Sequence, residues 1–274
     1  GERMTAVAPV VRVPAGRSGR GARRVGTVLG PIAVVVALLI AWQIWVEAAG
    51  IQPFVLPTPV AVWEAFAERP TFFLGVGLHT LYEAMAGLVV GGLVGAVSAV
   101  LAFRVRALGR GAGVVAAALL ALPMVALVPI ANVFFGLTPA SRIFVVSVAV
   151  YPIVLSFLLR GLRDTDRGLV EAFRSMAISP LQTVRDLYVP SMLPACMSAL
   201  RVAMPTAFSI AIVAEFFGGE LNTLGTFIKS SAVQSRVADT WGAALVAFAF
   251  ALVLYLVIAV IDRRVLRWHP SRSS

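Results

Sequence analysis

Side chains suited to covalent or metal chemistry are few in this sequence and stand far apart. The only cysteine is Cys196, and the two histidines are His79 and His269. A serine hydrolase needs a nucleophile beside a general base, and a zinc protease needs H-E-x-x-H. Neither arrangement is present, and no G-x-x-x-x-G-K-[ST] stretch could bind ATP. The sequence therefore predicts no enzyme, no catalytic residue, no metal site and no cofactor bound by this chain.

Glu215 is a candidate functional residue because it is ionisable and ends a long apolar run. Glu215 closes the stretch AFSIAIVAEFFGG. An ionisable group at membrane depth is costly and usually faces a cavity or a partner. Two interpretations stay open. Glu215 is a gate or polar contact in a transport path, or it is hydrated at the outer interface, where the chain turns at Gly218 and Gly219.

Further candidates for a transport path lie in the apolar stretches. Pro123 and Pro129 flank MVALV, and proline kinks a helix and frees carbonyl groups that can line a cavity. A kink that serves packing alone is the competing interpretation. The candidate pathway residues are Pro123, Met124, Phe134, Phe135, Met204, Ser209 and Glu215.

The composition indicates a membrane protein. Hydrophobic residues make up 59% of the 274 residues and charged residues 13%, whereas soluble proteins carry about 25% charged residues. The net charge of +10 comes from clusters between apolar runs, which is the pattern of membrane topology. The excess of positively charged residues is therefore attributed to membrane topology, and no nucleic-acid partner is expected.

Apolar segments of about 20 residues predict about six membrane-spanning helices in an all-α protein. The predicted spans are residues 30–48, 79–103, 112–134, 141–161, 198–218 and 240–262. Arginine clusters follow the second, fourth and sixth spans, and positive charge marks the cytoplasmic side. Both termini and residues 162–197 are therefore expected in the cytoplasm. Residues 1–29 are predicted to be a disordered basic tail, and residues 30–270 a membrane domain.

Two local patterns predict further structure. Thr58 and Pro59 are suited to start a short helix over residues 60–68 at the outer interface. In the second span, Gly91 and Gly95 have the G-x-x-x-G spacing, with Gly87 and Gly92 close by. Small residues let helices approach closely in lipid, so these glycines serve packing within the bundle or a dimer seam.

A polar segment interrupts the apolar runs and reads EAFRSMAISPLQTVRDLYVPSMLP, from Glu171 to Pro194. A helix is predicted from Leu169 to Met176. Ser179 is then suited to be an N-cap with Pro180 at the first helical position. A second short helix, Leu181 to Tyr188, is expected to end at Val189-Pro190. Such a helix–turn–helix on the cytoplasmic side could dock a soluble partner.

The polar segment resembles the cytoplasmic loop of ABC importer permeases, whose pattern is E-A-A, three residues, G, nine residues, I, one residue, L-P. Glu171 and Ala172 match, and Leu187, Val189 and Pro190 stand at the Ile, Leu and Pro places. Ala177 stands where Gly is usual, and Ala tolerates a right-handed helical turn but not a left-handed one. The resemblance runs from about Val55 to Pro270 and is closest to the nitrate, sulfonate and taurine branch. It also includes LPTPVAVWEAF, HTLYEAMAGLVVGGLVG, LPMVALVPIANVFFGLTPASRI and DRRVLRWHP.

The resemblance implies a type I ABC importer permease fold in a bacterial inner membrane. It implies a homodimer of permeases, two ATP-binding cassette ATPase subunits that carry ATP and Mg, and an extracytoplasmic substrate-binding protein. The expected activity is inward movement of a small solute by alternating access, the solute being an organic anion such as a sulfonate or a planar aromatic, vitamin-like compound. The residues expected to couple to the ATPase are Glu171, Ala172, Ala177, Ser179, Pro180, Leu181, Arg185, Leu187 and Pro190.

An ATP-independent channel or an ion-driven carrier is the alternative function. Such carriers often keep buried charges along their pathway. In this sequence only Glu215 is expected to approach that condition.

Overall fold

A computed structural model describes residues 20–219 and 222–265, and within these ranges the regular elements are helical. The predicted all-α fold class is confirmed. The helices are α1 (Arg20–Ala48), α2 (Pro59–Glu68), α3 (Pro70–Arg104), α4 (Arg106–Ala121), α5 (Met124–Phe135), α6 (Pro139–Arg163), α7 (Arg167–Ser175), α8 (Pro180–Thr183), α9 (Val189–Gly218), α10 (Leu224–Val233) and α11 (Val237–Val265). A π-helical turn, Val184–Tyr188, lies between α8 and α9.

Four helical segments in the described part of the chain are long and apolar enough to cross a membrane. They are α3, α6, the run Pro180–Gly218 and α11, and α4 with α5 makes a fifth if that bent pair is one span. Helix α3 begins at Pro70, well before the predicted start of the second span. These helices and α2 belong to a compact unit that begins at Gln52.

Helix α1 belongs to a separate compact unit, which ends at Ile51. Its apolar part, Ala33–Ala48, corresponds to the first predicted span. The helix begins at Arg20, inside the predicted disordered tail, because extending an existing helix costs less free energy than nucleating a new one. The rest of that tail, residues 1–19, lies outside the described residues.

The third predicted span, residues 112–134, is wrong as one continuous helix. Helix α4 ends at Ala121, and α5 departs from it at an angle of 91°. Leu122 is extended, with φ −66° and ψ 128°, because the ring of the following proline disfavours the helical conformation. Pro123 therefore makes a sharp break, while Pro129 stays inside α5.

The bundle is built on close packing of α3 against α6. Gly87, Gly91 and Gly95 lie on the face of α3 that meets α6. A β-carbon added at Gly95 would lie 2.9 Å from the Tyr151 carbonyl oxygen. At Gly92 the equivalent position meets no heavy atom of the described residues within 4 Å, apart from the backbone of its own helix and its chain neighbours. The G-x-x-x-G pattern therefore serves packing within the bundle, as the first of the two interpretations held.

The predicted short helix after Leu56-Pro57-Thr58-Pro59 is confirmed as α2. Thr58 is its N-cap and accepts a hydrogen bond from the Ala61 N–H at 3.2 Å, with Pro59 in the first turn.

Candidate functional site

The candidate coupling segment, which runs from α7 through the π-helical turn, begins with a capped helix and a strained turn. Asp166 caps α7 by accepting from the Gly168 N–H at 2.7 Å. The helix ends at Ser175, and Ala177 then adopts φ +52°. The Ala177 and Ile178 N–H groups donate back to the Arg174 and Phe173 carbonyl oxygens. A left-handed conformation costs a residue with a β-carbon about 1–2 kcal/mol, so the turn keeps the geometry that suits glycine although alanine occupies it.

The second half of the segment starts as the sequence predicts. The Ser179 hydroxyl accepts from the Gln182 N–H at 3.3 Å, and the Gln182 side chain accepts from the Ser179 N–H at 3.3 Å. Pro180 occupies the first turn of α8. This reciprocal capping box satisfies two N–H groups that would otherwise lack partners at a helix start. Ser179 and Pro180 therefore fix where the helix begins.

The predicted end of this helix at Pro190 is wrong. The π-helical turn lets the Val189 N–H reach back to the Val184 carbonyl oxygen. Proline lacks an N–H, and its ring clashes with the carbonyl group four residues before it in an α-helix. A widened turn there lets Pro190 fit without ending the helix. The run Pro180–Gly218 is consequently 39 residues long.

The nine candidate coupling residues divide by exposure. Leu187 is buried in the bundle, and Ala172 and Pro190 are half-buried. The exposed members are Glu171, Ala177, Ser179, Pro180, Leu181 and Arg185. Leu181 is 80% exposed, and Met176 at the adjacent turn is 71% exposed. The tip of the coupling segment, from Met176 to α8, therefore presents apolar side chains to its surroundings. Exposed apolar side chains of this kind are typical of a protein interaction site.

The candidate pathway residues other than Glu215 lie on α5 and α9 and just before α5. Phe134 is 77% exposed, and Phe135 contacts Phe144 with ring centroids 5.3 Å apart. Pro123 and Ser209 are also exposed, and Met124 and Met204 are half-buried. A groove beside Glu215 is lined by Leu137, Phe216, Lys229 and Gln234, among others, but by none of these six. The structure does not gather them with Glu215 in that groove.

Glu215 is fully buried, so its predicted alternative as a hydrated interfacial residue is wrong. Its Oε2 accepts from the Thr80 hydroxyl at 3.0 Å and from the Gly225 N–H at 2.8 Å. The Thr80 hydroxyl oxygen accepts from the Leu224 N–H at 3.0 Å. A helix start leaves such N–H groups without intrahelical partners. Glu215 and Thr80 therefore cap α10 and tie it to α9 and α3.

Gly225 allows this contact because it has no side chain. A β-carbon there would lie 2.6 Å from the Glu215 β-carbon. The other carboxyl oxygen of Glu215, Oε1, is buried with no hydrogen-bond partner among the residues that the structure describes.

A buried ion pair that was not predicted from the sequence joins α3 and α6. Arg142 Nε and Nη2 donate to the two oxygens of Glu83 at 2.6 and 2.5 Å. Their side chains are 1% and 4% exposed. Arg142 Nη1 also lies 3.4 Å from the Gly218 carbonyl oxygen, which it approaches as a donor. The expectation that only Glu215 approaches a buried charge is therefore wrong.

A signal for this pair was present in the sequence. Glu83 and Arg142 carry opposite charges inside two separate predicted spans. Intramembrane charges usually pair with one another.

A family model extends the sequence resemblance over most of this fold. Residues 87–267 match the family described as the binding-protein-dependent transport system inner membrane component. The chain belongs to this family. The matched residues include the polar segment, the buried ion-pair residue Arg142, Glu215 and the C-terminal half of α3. The protein is thus a multi-pass membrane permease component of an ABC importer for small solutes, and the predicted resemblance is confirmed.

Three relatives illustrate the family. A probable ABC transporter permease protein of Haemophilus influenzae is 28% identical over 84% of this chain and 94% of its own length. The formylaminopyrimidine transport permease protein ThiX of Halalkalibacterium halodurans is 29% identical over 75% of this chain and 82% of its own. The putative aliphatic sulfonates transport permease protein SsuC of Escherichia coli is 30% identical over 55% of this chain and 57% of its own.

A solved structure shares the fold. A chain of the MetNI methionine ABC transporter, in an inward-facing conformation, superposes with a TM-score of 0.63. The match has 19% identity and covers 72% of this chain and 98% of that one. The predicted type I importer permease fold is confirmed.

The strained turn predicts a stabilising substitution. Ala177→Gly removes the β-carbon that disfavours φ +52° and should raise the free energy of unfolding by about 1 kcal/mol. Ala172→Gly, inside right-handed α7, should lower it by about 1 kcal/mol. Denaturant unfolding in detergent micelles measures both variants. A loss of stability in Ala177→Gly equal to that in Ala172→Gly would show that the turn is not left-handed.

The buried ion pair predicts a non-additive pair of substitutions. Arg142→Leu leaves Glu83 buried without its partner and should lower the free energy of unfolding by about 3–5 kcal/mol. Adding Glu83→Met should restore most of that loss, because no charge then stays buried alone. The same unfolding assay compares the single and double variants. A double variant as unstable as Arg142→Leu alone would contradict the pairing.

Proposed function

We propose that this chain transports its solute as one of two identical permeases driven by a pair of ATPase subunits that dock on the segment from α7 to the π-helical turn. The observation that carries the proposal is the helical run Pro180–Gly218. Its first residues form the exposed tip of the coupling segment, and its last turn holds Glu215 among α3 and α10. A displacement at the tip therefore acts on the other end of the same helix.

The mechanism follows from this connection. When ATP binding draws the two ATPase subunits together, each would push the α7–α8 tip of its permease. The Ser179 capping box holds the start of α8, and the π-helical turn keeps α8 joined to α9. The push would therefore tilt α9 as a unit, and the transport path through the bundle would open first to one side of the membrane and then to the other. ATP and Mg are assigned to the partner subunits, with no cofactor on this chain.

The arginines at the helix ends support the sides of the membrane on which the ATPase and the binding protein are placed. Arg160 and Arg163 end α6 immediately before the coupling segment, and Arg263 and Arg264 lie in the last turn of α11. Positively charged helix ends face the cytoplasm. We therefore place the coupling segment and both termini in the cytoplasm, and an extracytoplasmic binding protein on the opposite face.

A small organic solute suits the candidate pathway residues on α5 better than an inorganic ion does. Exposed Phe134 and Phe135 on α5 could stack on a planar solute. The relatives named for formylaminopyrimidine and for aliphatic sulfonates transport organic solutes according to their names. We propose a solute of one of these two chemical kinds.

A charge placed at the exposed end of the coupling segment tests the proposal. Leu181→Asp puts a carboxylate where the 80% exposed Leu181 side chain is proposed to be covered by the ATPase. It should lower ATP-dependent uptake about tenfold, which corresponds to about 1.4 kcal/mol of lost docking energy. Uptake is measured in liposomes that contain the permease with its ATPase and binding protein. Leu108→Asp is the matched control, because Leu108 is an exposed leucine on α4, outside the coupling segment.

Two outcomes would overturn the proposal. Normal ATP-dependent uptake by Leu181→Asp would show that the segment has no role in coupling. Uptake by the purified permease without any ATPase would favour the channel or ion-driven carrier, for which the buried charges Glu83, Arg142 and Glu215 are the supporting observation.

A further inference from the structure

An open pocket lies where the ends of α3 and α6 meet α7 and the π-helical turn. Its lining includes Phe103, Arg163, Arg167, Glu171, Arg174 and Tyr188. The Phe103 and Tyr188 rings pack edge to face, with centroids 5.5 Å apart. The pocket thus combines an aromatic wall with several charged groups.

Helix α7 turns one face toward this pocket. Arg167, Val170, Glu171 and Arg174 all line it, and their spacing of three and four residues puts them on one side of a helix. Leu169 lies off that row and is 50% exposed. Only Glu171 belongs to the residues already assigned to coupling.

The charge of the pocket is positive and is not neutralised from within. Three guanidinium groups face one carboxylate. Arg163 Nη2 donates to the Gly109 carbonyl oxygen at 2.7 Å, which fixes it against α4. Arg167 and Arg174 form no ion pair with the residues that the structure describes. Their guanidinium donors are therefore available to an oxyanion, which arginine binds with two parallel hydrogen bonds.

We propose that this pocket receives an acidic side chain of the ATPase subunit. The inference rests on the proposed function and adds to it the residues that bind the partner's carboxylate, Arg167 and Arg174. A protein is favoured over a lipid headgroup because exposed Met176 and Leu181 lie on the same segment. Interfaces between proteins combine such apolar anchors with charged groups that become desolvated on docking.

Docking through two arginines also sets the salt dependence of the assembly. Exposed ion pairs weaken as salt screens them, and the guanidinium groups here start from an exposed state. The affinity of the ATPase for the permease should therefore fall as ionic strength rises. Removing the two charges should flatten that dependence.

The test is the binding of the ATPase subunit to the full permease in detergent, measured over a series of salt concentrations. Arg167→Gln with Arg174→Gln should weaken binding at low salt about tenfold, which is 1.4 kcal/mol, and flatten the salt dependence. Arg163 is left intact because it holds Gly109. The matched control is Arg106→Gln with Arg110→Gln, which removes the same charge from exposed positions on α4 that do not line the pocket. Equal melting temperatures of the two double variants show that folding is not the cause of any difference.

The possible contrary results are distinct. Wild-type affinity and salt dependence in Arg167→Gln with Arg174→Gln would overturn the pocket assignment and leave the proposed function standing. A second result would also overturn the pocket assignment and leave the proposed function standing. In that result the variant binds the ATPase normally, while vesicles of phosphatidylglycerol stabilise the wild type but not the variant, and vesicles of phosphatidylcholine stabilise neither. The ligand would then be a lipid headgroup. Failure of the wild-type permease to bind the ATPase at any salt concentration would remove the proposed function itself, and the pocket assignment with it.

Discussion

The continuity of one helix links the two polar regions of this protein. Inside lipid every backbone N–H and carbonyl group needs a partner within the protein, and proline removes one donor each time it occurs. The run Pro180–Gly218 contains Pro190, Pro194 and Pro205 after its first turn. It stays one helix because the π-helical turn widens the backbone just before Pro190. If the helix were broken there, the exposed tip at α8 and the buried end at Glu215 would move independently.

Polar contacts hold the bundle around that helix. Helices in lipid gain little from apolar contact with one another, so close backbone packing and hydrogen bonds carry their association. Arg142 joins α6 to Glu83 on α3 and approaches Gly218 at the end of α9. On α9 and α11, Arg201 and the buried Asp262 form an ion pair at 2.7 Å. The middle and the last turn of the long helix thus contact neighbouring helices through specific polar groups, which gives the helix a defined position to move from.

The sequence predicted the features that depend on local patterns. The caps at Thr58 and Ser179 follow from side chains that bond to backbone only three residues away, and apolar runs of sufficient length marked α6, α9 and α11. The break at Pro123 was expected as a kink, but its angle of 91° depends on what α4 and α5 pack against.

Long-range contacts account for most of what the sequence did not predict. Glu83 and Arg142 are 59 residues apart, and Thr80 and Glu215 are 135 apart. No periodicity relates residues at such separations. Ala177 is a different case, because tertiary structure holds it in a conformation that its own preference disfavours.

The central claim is that the α8 tip faces the cytoplasm and is covered by an ATPase subunit. Cys196 is the only cysteine in the sequence, so Leu181→Cys in a Cys196→Ser background gives a single thiol at the exposed tip. The decisive measurement is its labelling by a membrane-impermeant thiol reagent in vesicles of known orientation. The account predicts labelling in inside-out vesicles alone, with protection when the ATPase subunit is bound. Labelling in right-side-out vesicles, or no protection by the bound subunit, would contradict it.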